Sequence, residues 1–107
     1  MKKAASFFAV LAMFLVIGLI AYSAEGSASH GKEVYEAQKC RLCHSIAGVG
    51  NKNSPLDGVG SKLKADEIAK WIKTPKEMKA DAKMKAYPNL PEQDLNDLVA
   101  YLLTLKK

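Results

Sequence analysis

Cys40-Arg41-Leu42-Cys43-His44 is the stretch on which the reading of this chain turns: two thiols three residues apart, with a histidine directly after the second. This is the spacing at which a c-type haem is attached covalently. On one helical turn the two cysteines can each form a thioether to the same edge of a porphyrin, and the next residue can offer an imidazole nitrogen to the iron. The sequence holds 2 cysteines in all, so the whole thiol supply is committed here. A structural zinc site takes four Cys or His ligands, commonly as two paired half-sites; Cys40, Cys43, His44 and the distant His30 are the entire pool. A dithiol redox pair belongs in a βαβ setting, and no strand pattern surrounds this one.

The N-terminus carries a second signal. Lys2-Lys3 precede an apolar run from Ala4 to Ala21, interrupted by Ser6 and Gly18, and small residues follow. A short basic region, an apolar core and a small-residue exit describe a secretory leader over residues 1–28. Ala21-Tyr22-Ser23 and Gly26-Ser27-Ala28 are alternative cleavage sites. The rival is a retained anchor: Phe7 to Ile20 is too short to span a bilayer, which takes about 20 residues, but Ala4 to Ala24 is long enough. Either way residues 29–107 are expected outside the cytoplasmic membrane, in the periplasm or tethered to the membrane's outer face.

Charge and size narrow the class further. Lys and Arg number 16 and fall to 14 without Lys2 and Lys3, against 11 acids, leaving +3. The excess is lysine, with Arg41 the single arginine, and it is spread along the chain. Nucleic-acid binding favours basic clusters interleaved with aromatics, so a mildly cationic surface for an acidic protein partner fits better. A mature chain of this length buries a small core by itself. A covalent haem supplies an apolar centre around which short helices can pack.

The pattern along residues 29–107 is helical, with no period-two alternation that would signal strands. A first helix is expected from Ser29 as N-cap towards Cys40, with Gly31, Val34, Tyr35 and Gln38 at helical spacing. Residues 45–62 read as a loop, punctuated by Gly48, Gly50, Asn51, Asn53, Pro55, Gly58 and Gly60. A second helix is expected over Ala65–Lys73, with Asp66 and Glu67 in its first turn and Thr74-Pro75 as its stop. A second loop runs from Pro75 to Leu90. Leu95, Leu98, Val99, Leu102 and Leu105 then form the stripe of a last helix. Glu92, Asp94 and Asp97 stand at its start and Lys106-Lys107 at its end. The expectation is an all-α domain of three or four short helices with long loops around one covalent haem.

His44 supplies one axial position. An iron used for electron transfer takes a second protein ligand, and a methionine thioether raises its potential relative to a second histidine. Beyond the thiol motif only Met78 and Met84 are methionines. Met84 is preferred because it lies in mid-loop, six residues before Leu90, where the chain can wrap over the ring; Met78 and His30 are the alternatives. With both positions filled no base, nucleophile or substrate-binding group is visible, so the expected chemistry is not enzymatic.

Taken together these residues resemble the small monohaem class I c-type cytochromes. Gly31 with Val34-Tyr35 is similar to that family's first helix, where a glycine admits close crossing by the last helix. Leu98-Val99-Ala100-Tyr101-Leu102 resembles the crossing partner. The resemblance puts Pro55 where a loop proline's carbonyl accepts the axial histidine's second N–H. It puts Trp71 where a tryptophan packs near a haem propionate. Met84-Lys85-Ala86-Tyr87 with Leu90 resembles the ligand loop. Pro55-Leu56-Asp57-Gly58 is one residue tighter than the family's proline-x-leucine-x-glycine, and Lys83 and Lys85 flank Met84 where many relatives carry proline. The resemblance implies a monomeric one-electron carrier with one haem c, held by Cys40 and Cys43 and ligated by His44 and Met84. It would exchange electrons with redox protein donors and acceptors, membrane complexes among them, and use no small-molecule substrate. Lys79, Lys83 and Lys85 are candidates for a docking rim.

Overall fold

The computed structural model describes residues 26–107; residues 1–25 of the expected leader, with the cleavage site at Ala21-Tyr22-Ser23, lie outside them, whereas the alternative site Gly26-Ser27-Ala28 falls where the first described helix begins. Among the described residues no helix is long and apolar enough to cross a membrane. Within the described residues five helices follow one another: α1 (Ala28–Ala37), α2 (Val59–Lys62), α3 (Ala65–Lys73), α4 (Pro75–Met78) and α5 (Glu92–Leu103). A 3₁₀ turn spans Cys40–Leu42, and two short strands, β1 (Ser45–Ile46) and β2 (Val49–Gly50), pair antiparallel.

α1 and α5 cross at close range, and Gly31 is the reason they can. A methyl group at Gly31 would overlap the Asp97 carbonyl oxygen and stand 2.5 Å from its carbon and 2.7 Å from Tyr101 Cβ. Beside this contact the Tyr35 and Tyr101 rings meet edge-on, 5.9 Å apart, an arrangement the aromatic quadrupole favours. The core gathers Val34 and Tyr35 from α1, Ile68 and Ile72 from α3, and Leu95, Leu98, Val99 and Leu102 from α5. The apolar stripe of the last helix is therefore its buried face, with Leu105 packed on the core's edge past the helix end.

Several expectations shift by a residue or more. The N-cap of α1 is Ser27, whose hydroxyl accepts the His30 N–H, not Ser29. What decides between the two serines is distant in sequence: the Ser27 N–H donates to Asp97 Oδ1 at 2.7 Å. Asp97 is accordingly not a first-turn charge but a buried clamp, 3 % exposed. It also takes Gln93 Nε2 at 2.8 Å and His30 Nδ1 at 2.6 Å. α3 spans the expected residues, with the Glu67 carboxylate accepting the Lys64 N–H at its start. Pro75 ends it and begins α4, since a proline at a first helical position gives up no hydrogen bond. Lys106 and Lys107 fall beyond α5, which ends at Leu103 with Thr104 as its cap.

The loop over 45–62 contains structure that period-two reading could not find, because each strand has only two residues. Ala47 and Gly48 both have positive φ, 51° and 81°, as a type I′ hairpin turn requires, and Asp57 Oδ1 accepts the Ala47 N–H at 2.8 Å. On its other side Ser45 bridges to Pro55, with the Leu56 N–H donating to the Ser45 carbonyl at 2.8 Å. The all-α expectation thus holds for the architecture, with this one small sheet added.

Candidate functional site

The motif Cys40–His44 is folded into one tight turn. The Cys40 carbonyl accepts the N–H groups of both Cys43 and His44, at 3.1 and 3.0 Å, which keeps both cysteines and the histidine within a single turn. Lys39 enters it with φ 58°, a left-handed conformation that redirects the chain out of α1. Asn51 then fastens the turn to the following loop. Its N–H donates to the Arg41 and His44 carbonyls at 3.0 Å. Its side chain donates to the Leu42 carbonyl at 3.2 Å and accepts from the Asn53 N–H at 3.0 Å.

Above the turn lies a cavity of about 330 Å³ walled almost wholly by apolar side chains from α1, α3, α5 and the loops. Cys40, His44, Trp71 and Met84 all line it. Met78, half-buried on α4, does not, and His30 is engaged with Asp97 at the α1–α5 crossing. Cys43 is exposed and outside the lining. Pro55 lines instead an adjoining cavity of about 280 Å³, shared with Trp71, Asp57 and Lys62. The structure therefore brings four of the six expected site residues to one space and sets Cys43 and Pro55 at its margins.

The contact expected of Pro55 is made by its neighbour. His44 Nδ1 lies 3.1 Å from the carbonyl oxygen of Ser54 and 3.0 Å from its hydroxyl. The physical reason is register: with Leu56 and Gly58 fixed, Ser54 stands two residues before the leucine, where the resemblance expects the proline. The loop is not shortened; serine occupies the place. Neither Ser54 nor Asn51 advertises itself in the sequence, since a backbone carbonyl carries no side-chain signature. The buried Asp97 clamp could have been suspected only from its position on the apolar side of α5.

The residues fit a haem. The wall is apolar enough for a porphyrin face, and a cavity of this size falls within the range of small-molecule sites, roughly 300–1,000 Å³. Two thiols, an imidazole and a thioether are the donors that a covalent, six-coordinate haem uses. Burial pushes the Cys40 thiol up from its ordinary value, the reverse of what a dithiol redox pair needs. The Tyr35 hydroxyl is buried on the cavity wall with no hydrogen-bond partner among the described residues, and burial drives its pKa up to about 12. An orphaned buried hydroxyl costs about 1–3 kcal/mol, so an occupant bearing polar atoms is expected here. The loop carrying Met84 is pinned where the Tyr87 N–H donates to the Ile72 carbonyl at 2.8 Å. The Tyr87 hydroxyl reaches the Gln38 carbonyl at 3.4 Å.

Comparison with known proteins agrees with this geometry. Residues 26–102 match the family model described as cytochrome c oxidase, cbb3-type, subunit III. The chain is 31 % identical over 91 residues to cytochrome c oxidase subunit 2 of Alkalihalophilus pseudofirmus. That match takes in 77 % of this chain but 27 % of the relative, so the chain spans about a quarter of that protein's length. Among solved structures, SoxXA from P. pantotrophus superposes with a TM-score of 0.69 at 21 % identity, covering 78 % of this chain and 85 % of that one, which speaks to the fold. Thiol turn, cavity, crossing helices and matched span lead to one assignment: the chain belongs to the family of cytochrome c oxidase, cbb3-type, subunit III, and is a small class I c-type cytochrome.

Proposed function

We propose that this protein carries single electrons between redox proteins on one haem c, bound through Cys40 and Cys43 and ligated by His44 and Met84. The observation that carries the reading is the convergence of Cys40, His44 and Met84 on a single apolar cavity. When bound, the haem supplies the Fe(III)/Fe(II) couple. The polypeptide does the rest: Ser54 orients the His44 ring, the aliphatic wall excludes water, and the Tyr87 anchor holds the Met84 loop over the cavity. Trp71 closes the side shared with the adjoining cavity, at the propionate edge in this reading. Exposed Lys79, Lys83 and Lys85 form a rim for weak, salt-screened docking of an acidic partner. The segment ahead of Gly26 acts as the export leader, or as an anchor, that puts the domain in the periplasm; Ser27 and Ala28, expected at the leader's end, are the N-cap and first residue of α1.

The visible spectrum of the reduced protein, taken before and after CO, tests this. No change at neutral pH is expected, because the sixth position is closed; a rapid shift would move the protein among haem enzymes or gas sensors. Met84→Ala is expected to keep the covalent haem, lower the potential and admit CO. An unaltered Met84→Ala spectrum with an altered Met78→Ala spectrum would reverse the ligand choice. The family match and the 27 % coverage of an oxidase subunit favour a second reading, a haem module fixed within a larger oxidoreductase. Recovery of the native protein only as part of a membrane complex would favour it over the free carrier.

A further inference from the structure

We infer that the Ser54 hydroxyl is a second acceptor for the N–H of the axial histidine and thereby a residue that sets the reduction potential; the inference rests on the reading of His44 as an iron ligand. His44 Nδ1 faces two oxygens of the same residue, the hydroxyl at 3.0 Å and the carbonyl at 3.1 Å. An imidazole bound to a metal through Nε2 must keep its proton on Nδ1, so Nδ1 donates and both oxygens accept. The reverse arrangement, Oγ–H donating to a bare Nδ1, would leave the proton on Nε2 and deny the iron its ligand.

The two acceptors are not equivalent. The carbonyl already accepts the N–H of buried Ser45 at 3.2 Å, so it is shared between two donors. Among the described residues the hydroxyl accepts from His44 alone. Nor is the hydroxyl near His44 by chance of a wandering side chain. The Ser54 backbone is held by its own carbonyl on Ser45, by the Ser45–Pro55 bridge, and by the Leu56 N–H on the Ser45 carbonyl. A proline in the same place could supply the carbonyl but no hydroxyl. Each acceptor on Nδ1–H draws the proton away and makes the ring a stronger donor to the metal, which favours the oxidised iron. Ser54 is a positioning residue that acts on the iron through His44.

The test is a potentiometric titration of the holoprotein with Ser54→Ala and Ser54→Thr, alongside the His44 Nδ1–H proton resonance of the reduced form. Ser54→Ala is expected to raise the potential and move that resonance upfield while the protein stays closed to CO. Ser54→Thr, which keeps a hydroxyl, is expected to stay near wild type on both. An unmoved potential in Ser54→Ala, or an equal rise in both variants, would overturn the inference. His44→Ala separates the two readings. If it leaves the low-spin spectrum intact, the ligand assignment fails and the Ser54 inference falls with it. If it abolishes that spectrum while Ser54→Ala is silent, the Ser54 inference alone fails.

Discussion

Gly31→Ala is the substitution that most directly interrogates the crossing of α1 and α5. The added methyl would meet three obstacles, the Asp97 carbonyl oxygen, its carbon at 2.5 Å and Tyr101 Cβ at 2.7 Å. Two are backbone and the third a Cβ, so no rotamer change relieves the overlap. Ordinary contact begins at 3.4 Å, so against the carbon at 2.5 Å the helices must part by at least about 0.9 Å, and by more to clear the carbonyl oxygen. A gap of about 0.5–1 Å forfeits a quarter to a half of the dispersion energy at each affected contact. Overpacking of this kind costs about 1–3 kcal/mol, and with no flexible neighbour to yield, the upper end applies. Alanine's better helix propensity returns about 1 kcal/mol. The net loss is then about 2 kcal/mol, a fall of about 1 M in the urea midpoint at an unchanged m-value of about 1–3 kcal/mol/M. A midpoint within about 0.3 M of wild type, or above it, would mean that α1 and α5 do not approach this closely.

Three more outcomes follow from the same structure. Hydrogen bonding to Asp97 raises the His30 pKa above its ordinary 6.5 against a smaller desolvation effect, with Asp94 and Glu33 adding to the rise. That contribution is complete below 6.5 and is lost as pH climbs through the raised value. The Ser27 N–H first, then His30 and Gln93, hold Asp97 below its ordinary 3.8, a contribution present above 3.8 and lost on further acidification. Urea midpoints measured from pH 3 to 9 should therefore decline above about pH 6.5, and His30→Asn should flatten that decline and weaken, without abolishing, the acid limb, which Ser27 and Gln93 still support. Asn51→Ala removes two side-chain hydrogen bonds at about 1 kcal/mol each, so melting should fall by about 8–16 °C; an unchanged transition would show that the thiol turn holds itself. Ala47→Asn puts the residue preferred in a type I′ turn at φ 51° and should raise the melting temperature by a few degrees; a lower one would contradict that turn geometry.

What the sequence made legible, and what it hid, divides by the range of the interactions. Ala65–Lys73 could be bounded to the residue because its signals are local: Asp66 and Glu67 at one end, Thr74-Pro75 at the other. The buried stripe of α5 is likewise a periodicity. Ser27 could not be chosen over Ser29 because Asp97, 70 residues away, makes the choice. The hairpin at Ala47-Gly48 was invisible because its strands are shorter than any pattern. Cys40, His44, Trp71 and Met84 were legible as chemistry and meet at the cavity. Ser54 was hidden because the feature that matters, a carbonyl two residues before Leu56, belongs equally to every residue type.

The placement of α1 against α5 also governs when the domain can form. The partners that meet at Gly31 and Asp97 are 66 positions apart, and the clamp to Ser27 bridges 70. Contacts of such long separation are made late, because loop closure must precede them. A chain emerging from synthesis at about 5–20 residues per second has its thiol turn for seconds before α5 exists to shut the fold. Throughout that interval the cavity lacks the wall that Leu98 and Leu102 supply, and Cys40 is reachable from the side that α5 later closes.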